Sequence, residues 1–154
     1  FLRNNIYTES LLYTLPEAVR TGTLRAAGGN GRAAYVTRED CARAAVGALL
    51  RGETRCSYEI SGPEALSFAD LASIASRLSG RTVVYEPLDA DAFKQELLGS
   101  GMEPMLAELW VGFDRAIAEG LMDLVACDVE RLSGRPPRRV EDFLRGRLEE
   151  WLRP

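Results

Sequence analysis

The residues best placed for chemistry stand at the start of the chain. Arg3-Asn4-Asn5-Ile6-Tyr7-Thr8-Glu9 crowds polar side chains directly behind Phe1-Leu2, which reads as the tail of a strand. Open α/β sheets place ligands where strands run out into loops, so this run is the best local candidate for a ligand site. Far along the chain, Met105, Trp110 and Phe113 form an aromatic and sulfur patch. Such a patch lines an apolar pocket or simply packs a core, and the residues alone leave both open.

Other chemistries lack their parts. The chain has no histidine, the commonest general base and metal ligand. Carboxylates such as Glu141-Asp142 and Glu149-Glu150 scatter along helix surfaces, and no spacing singles out an acid/base pair. Ser61-Gly62 lacks the G-x-S-x-G frame of a nucleophile elbow. The glycine-rich AAGGNGR at Ala26–Arg32 opens a strand, whereas a phosphate cradle follows a strand and opens a helix, so it reads as a connector. No G-x-G-x-x-G follows a strand. The basic run Arg135–Arg139 reads as a solvated lead-in to the last helix. No catalytic residue and no metal site can be assigned.

Composition narrows the class. With 46% hydrophobic and 27% charged residues the chain is globular, and 154 residues suit one domain over 1–154. Nineteen basic against 23 acidic residues give −4, which argues against nucleic acid as a partner. No apolar run nears the roughly 20 residues of a membrane span, and no signal peptide is evident, so a membrane is not expected. Cys41, Cys56 and Cys127 are odd in number and never form a CxxC pair, as expected of reduced thiols in the cytoplasm. The chain starts at Phe1 without a methionine. Either upstream residues were removed or this is a piece of something longer.

Elements that would position the polar run can be read in order. Ile6–Leu15 suits a helix with Leu11, Leu12 and Leu15 inward, and Pro16 then breaks it or opens another short turn. Thr21–Leu24 is extended, and Asn30-Gly31 marks a tight turn before a strand at Ala33–Val36. Thr37 caps a helix, with Asp40 as a weak capping-box partner and Cys41, Ala44, Ala45, Ala48 and Leu49 on its inner face. The small side chains on that face let the helix sit close to a sheet. Cys56–Ile60 and Thr82–Tyr85 read as strands. Between them Ser67 caps a helix with Asp70 at N3, an apolar stripe of Phe68, Leu71, Ile74, Ala75 and Leu78, and a stop at Gly80. Alternation of strand and helix points to an α/β layer arrangement. The rest is helical. Asp89 caps Ala90–Leu98, and Pro104 opens a helix with Leu106, Leu109, Trp110, Phe113 and Ile117 inward. A short helix covers Asp128–Leu132. Val140–Leu152 closes the chain with Val140, Phe143, Leu144, Leu148 and Trp151 on one face, and Arg145 can reach Glu149.

Four stretches together carry a family likeness: LRNNIYTES at Leu2–Ser10, GNGRAAYVTREDCARAA at Gly29–Ala45, YEISGPEALSFADLA at Tyr58–Ala72 and LLGSGMEP at Leu97–Pro104. With LMD at Leu121–Asp123 and RLSGRPP at Arg131–Pro137, they resemble the C-terminal half of NmrA-like atypical short-chain dehydrogenases, most closely the NAD(P)H:quinone oxidoreductase type 2 group. The resemblance implies the C-terminal portion of an NAD(P)-binding Rossmann fold with a small helical substrate lobe, the N-terminal nucleotide-binding half being absent from this chain. It implies NADPH or NADH as cofactor and a quinone as substrate. It also implies that the loop Arg3–Glu9 borders the nicotinamide and substrate end of the cleft. Asn4 and Asn5 would then touch the cofactor, and Tyr7, Glu9, Trp110 and Phe113 the substrate. Ser10 stands where the family commonly has Asn.

The leading expectation is therefore the substrate-binding half of a quinone reductase. A non-catalytic dinucleotide sensor is the second reading, favoured if Val140–Leu152 turns an apolar stripe to solvent. The third is a stand-alone binding or assembly module, in which a homodimer covers exposed sheet edges.

Overall fold

A computed structural model describes residues 1–152, with Arg153 and Pro154 outside it. The strands are short and mostly parallel, as the α/β expectation requires. Strand β1 (Leu2–Asn4) pairs in parallel with β4 (Tyr58–Ile60). The chain leaving β1 makes one further parallel bridge, Tyr7 to Val36, through Thr8 N–H to Val36 O at 2.9 Å and Val36 N–H to Ile6 O at 3.0 Å. Segments around residues 4–7, 34–36 and 60 thus lie side by side. A second parallel pair joins β2 (Thr23–Ala26) to β6 (Val84–Pro87). A third pair, β3 (Arg32–Ala33) with β5 (Leu66–Ser67), is antiparallel.

Local chemistry explains why the helices start where they do. Helix α1 spans Leu11–Thr21, after one short turn of tighter helix at Thr8–Ser10. In α2 (Arg38–Arg51) Thr37 Oγ1 accepts from Asp40 N–H, and in α3 (Phe68–Ser79) Ser67 and Asp70 complete a reciprocal capping box. Asp89 caps α4 (Ala90–Gly99) and Pro104 opens α5 (Pro104–Ala118). The expected turn is closed by Gly31 N–H to Gly28 O at 2.9 Å. One core gathers Leu15, Tyr35, Leu71, Phe143 and Leu144, and another Val36, Cys41, Tyr58, Ile60 and Val129.

Several expectations need correcting. Pro16 does not break α1, which runs through it to Thr21 because burial of Leu11, Leu15, Ala18 and Val19 on one face outweighs the lost hydrogen bond. The sixth strand begins at Val84, since the Val83 N–H is taken by Ser76 Oγ at 2.9 Å. Leu49 is 81% exposed. Helix α2 lies on the short helix α6 (Asp128–Ser133), and so closely that a Cβ built on Gly47 would meet Leu132 O at 2.0 Å. Leu49 faces away from that contact. The last helix divides at Gly146, a weak helix former, into α7 (Val140–Arg145) and α8 (Leu148–Trp151). Trp151 folds back to donate its indole N–H to Leu144 O at 3.0 Å. Arg145 pairs with Glu141 at 2.8 Å. Val140, Phe143, Leu144 and Trp151 are buried, so the stripe that would have favoured the sensor faces the core.

Candidate substrate cavity

A cavity of about 470 Å³ opens where the β1 loop meets α5. It brings together residues more than 100 positions apart: Asn4, Asn5 and Tyr7 on one side, Trp110 and Phe113 on the other. Helix α5 achieves this by splitting its apolar residues between two faces. Ala107 and Val111 are buried behind, whereas Leu106 and Leu109, expected inward, are 46% and 52% exposed and line the cavity together with buried Ile117. Met105 is 71% exposed and lies outside the lining.

Each predicted polar residue has a definite place. The Asn5 side chain is spoken for, because its Nδ2 donates to Met122 O at 3.0 Å and its Oδ1 accepts from Ile6 N–H at 2.8 Å. It therefore fixes the shape of the loop. Asn4 is exposed, and its amide donates to the Tyr7 hydroxyl at 3.3 Å. The Arg38 guanidinium lies 5.4 Å from the centre of the Tyr7 ring, close enough for a cation–π contact. Glu9 does not reach the cavity. Its carboxylate accepts from the Arg38 N–H at 3.0 and 3.1 Å, at the first turn of α2, where negative charge is favourable.

Asn4 and Asn5 also line a smaller, more polar cavity of about 380 Å³ on their other side, bounded by Arg3, Glu59 and Ser61. A third space of about 780 Å³ adjoins the first across Leu106 and Trp110. Among the described residues no cluster of three or more carboxylates or thiols suits a metal ion, and no helix is long and apolar enough to cross a membrane. The three cysteines are unpaired.

Two residues of the cavity escaped the sequence reading. Asp114 is 4% exposed, and one carboxylate oxygen accepts from Ala27 N–H at 2.6 Å. Burial pushes its carboxyl up to about 6, a rise only partly opposed by that hydrogen bond. Tyr35, buried on the strand-like segment before α2, lines the same cavity. Burial first, and then the Asp114 charge, raise its phenol. The available signal for Asp114 was its helical spacing: it shares the face of Val111 and Ile117, where a carboxylate is out of place unless it has a task.

Comparison with known proteins gives the cavity a context. No family model matches the chain. Over 136 residues it is 30% identical to quinone oxidoreductase 2 of Escherichia coli, covering 88% of this chain and 48% of that protein. It is 29% identical over 148 residues to the NAD(P)H azoreductase of Xenophilus azovorans, covering 93% of this chain and 50% of the relative. The chain thus spans about half the length of the curated relatives it matches. In structure it superposes on the NADPH complex of the E. coli quinone oxidoreductase QOR2 with a TM-score of 0.86 at 26% identity, covering 95% of this chain and 52% of the other. These relatives and structural neighbours use NAD(P)H, in keeping with the cofactor that the resemblance implies. In sequence and in fold, this chain is similar to the C-terminal half of the NmrA-like NAD(P)H-dependent reductases of the quinone oxidoreductase 2 type, and it carries part of their Rossmann-type α/β domain.

Proposed function

We propose that the chain is the substrate-binding half of an NAD(P)H-dependent reductase whose acceptor is a flat, ring-bearing molecule of the quinone class. The observation that carries the reading is the 470 Å³ cavity, with an aromatic wall and a polar rim that comes from the end of a parallel strand. Relatives named for quinones and azo compounds support the same substrate class. The nicotinamide, when bound, supplies the hydride. This chain's residues bind and orient the acceptor. Trp110 and Phe113 offer ring faces, and Tyr7 stands at the rim with its hydroxyl held by Asn4.

The fit to the cofactor is one-sided. Asn4 and Asn5 both border the apolar cavity and the polar one; exposed Asn4 is the residue that would hold the nicotinamide end, and Asn5, engaged with Met122 O and Ile6 N–H, would shape the loop around it. The glycine turn offers no cradle for the pyrophosphate. A Cβ on Gly28 would meet the Phe68 ring at 2.3 Å and one on Gly31 would meet Ile117 O at 2.0 Å, so protein already fills that space. Glu9 supports the loop through its bonds to the Arg38 N–H.

The test is oxidation of NAD(P)H with 1,4-naphthoquinone as acceptor, followed by loss of nicotinamide absorbance. The protein used carries this chain with any native residues that precede Phe1. Turnover that falls at least about tenfold in Trp110→Ala supports the reading, since a central aromatic anchor is worth that much. Turnover indifferent to Trp110→Ala and Phe113→Ala would place the acceptor elsewhere, and no oxidation at all would leave the sensor as the better account.

A further inference from the structure

Within a mostly apolar chamber, two polar side chains retain unused hydrogen-bonding capacity. Asp114 spends one oxygen on Ala27 N–H, and among the described residues no hydrogen bond reaches the other. The Tyr35 hydroxyl lines the same cavity and likewise has no hydrogen bond to a described residue. Both residues line the cavity, so a ligand oxygen there could complete the hydrogen bonding that the protein leaves open.

We propose that Asp114 and Tyr35 form a polar anchor for one oxygen of a ring-bearing ligand, a carbonyl oxygen in the oxidised form and a phenolic hydroxyl in the reduced form. The inference rests on reading this cavity as the substrate site and adds which groups hold the ring and in which protonation state. Tyr35 donates to a carbonyl oxygen. Asp114 donates to that oxygen when it is protonated and accepts from a phenol when it is ionised. Oxidised and reduced ligands therefore prefer opposite charge states of one residue.

The charges around Asp114 leave it free to titrate. Tyr35 and Tyr85 face it, and its charge opposes the ionisation of both. Tyr85 donates to Ala26 O at 3.3 Å. Arg25 lines the cavity from β2, but Glu86 at 3.0 Å and Glu96 at 3.6 Å hold its guanidinium. Arg38 is engaged over the Tyr7 ring at 5.4 Å. On its own helix, Arg115 is exposed.

The experiment is calorimetric titration of the protein, this chain with any native residues that precede Phe1, with 1,4-naphthoquinone and, under argon, with its hydroquinone, between about pH 5 and about pH 7.5. With a carboxyl titrating near 6, quinone binding that needs the proton weakens towards roughly tenfold per pH unit above that point. Hydroquinone binding strengthens over the same range. Asp114→Asn keeps a hydrogen-bonding side chain of the same shape, and it should make both affinities independent of pH. Tyr35→Phe should weaken the quinone several-fold at every pH. Circular dichroism identifies any variant that fails to fold, and in that case the opposite pH trends of the two ligands on the wild-type chain decide alone. Quinone binding that is flat with pH would overturn the anchor and leave the cavity as the substrate site. No binding of either ligand would overturn both.

Discussion

Removing the Asp40 carboxylate should destabilise the fold far more than its modest place in the sequence suggests. Asp40 is fully buried at the start of α2. One carboxylate oxygen accepts from the Thr37 hydroxyl at 2.6 Å and from the Arg138 N–H at 3.0 Å, while the other meets the Arg43 guanidinium. The residue thus ties the α2 N-terminus to a loop almost a hundred positions away. Asp40→Ala leaves two donors, Thr37 Oγ1–H and Arg138 N–H, without their acceptor in a site poor in water. Hydrogen bonds to a charged group contribute about 1.5–3 kcal/mol each. Two of them give a loss of about 3–6 kcal/mol, overlapping the range of about 3–5 kcal/mol seen when one partner of a buried charged pair is deleted. Arg43 is left out of this figure because its side chain is 28% exposed and can rehydrate. The Asp40 N–H bond to Thr37 Oγ1 survives the change, so the helix cap itself is not what is being measured. Urea denaturation followed by circular dichroism gives the loss as a shift in midpoint at constant slope. Glu39→Ala, at an exposed neighbour, should cost less than about 0.5 kcal/mol and serves as control. A loss below about 1 kcal/mol for Asp40→Ala would refute the argument.

Other substitutions probe separate parts of the fold and the cavity. Gly47→Ala should gain up to about 1 kcal/mol of helix propensity, yet destabilise by about 2 kcal/mol net, because its Cβ would stand 2.0 Å from Leu132 O. Unchanged urea stability would show that α2 and α6 can part without cost. Ser67→Ala should cost about 1 kcal/mol at neutral pH, read from the same urea midpoints. The Ser67 N–H and hydroxyl hold the Asp70 carboxyl below its ordinary value. That share of the stability is therefore full above about pH 4 and fades as the pH falls further, so the cost should shrink in acid. Asp114 has the opposite sign. Its folded value, about 6, lies above the ordinary 3.8, so the native state holds the extra proton and stability declines as pH rises between the two. Relative to wild type, Asp114→Asn should gain on the order of 2 kcal/mol between about pH 4 and about pH 7.5. A constant gap in melting behaviour across that range would refute the burial argument.

Much of the layering was legible in the sequence because its signals are local. A hydroxyl at Thr37 or Ser67 with an acid three residues on starts a helix wherever it stands, and the structure shows both caps. The polar run after β1 could be placed for a related reason, since a strand end leaves side chains without sheet partners. Local rules failed where burial from elsewhere outweighed them. Pro16 stays helical because α1 is held by its buried face, and the closing helix divides because Gly146 and the folded-back Trp151 offer a better packing than a straight rod.

The sequence by itself determined the alternation of strand and helix, the caps and the two candidate walls, Asn4–Tyr7 and Trp110–Phe113. Only the tertiary structure decided that these walls face each other across one cavity, that Glu9 turns away to Arg38, and that Asp114 and Tyr35 line the same cavity. The physical reason is distance along the chain. Periodicity says which face of a helix is apolar, but which partner that face meets, and whether the gap between them closes into core or stays open, depends on every other element packing at once.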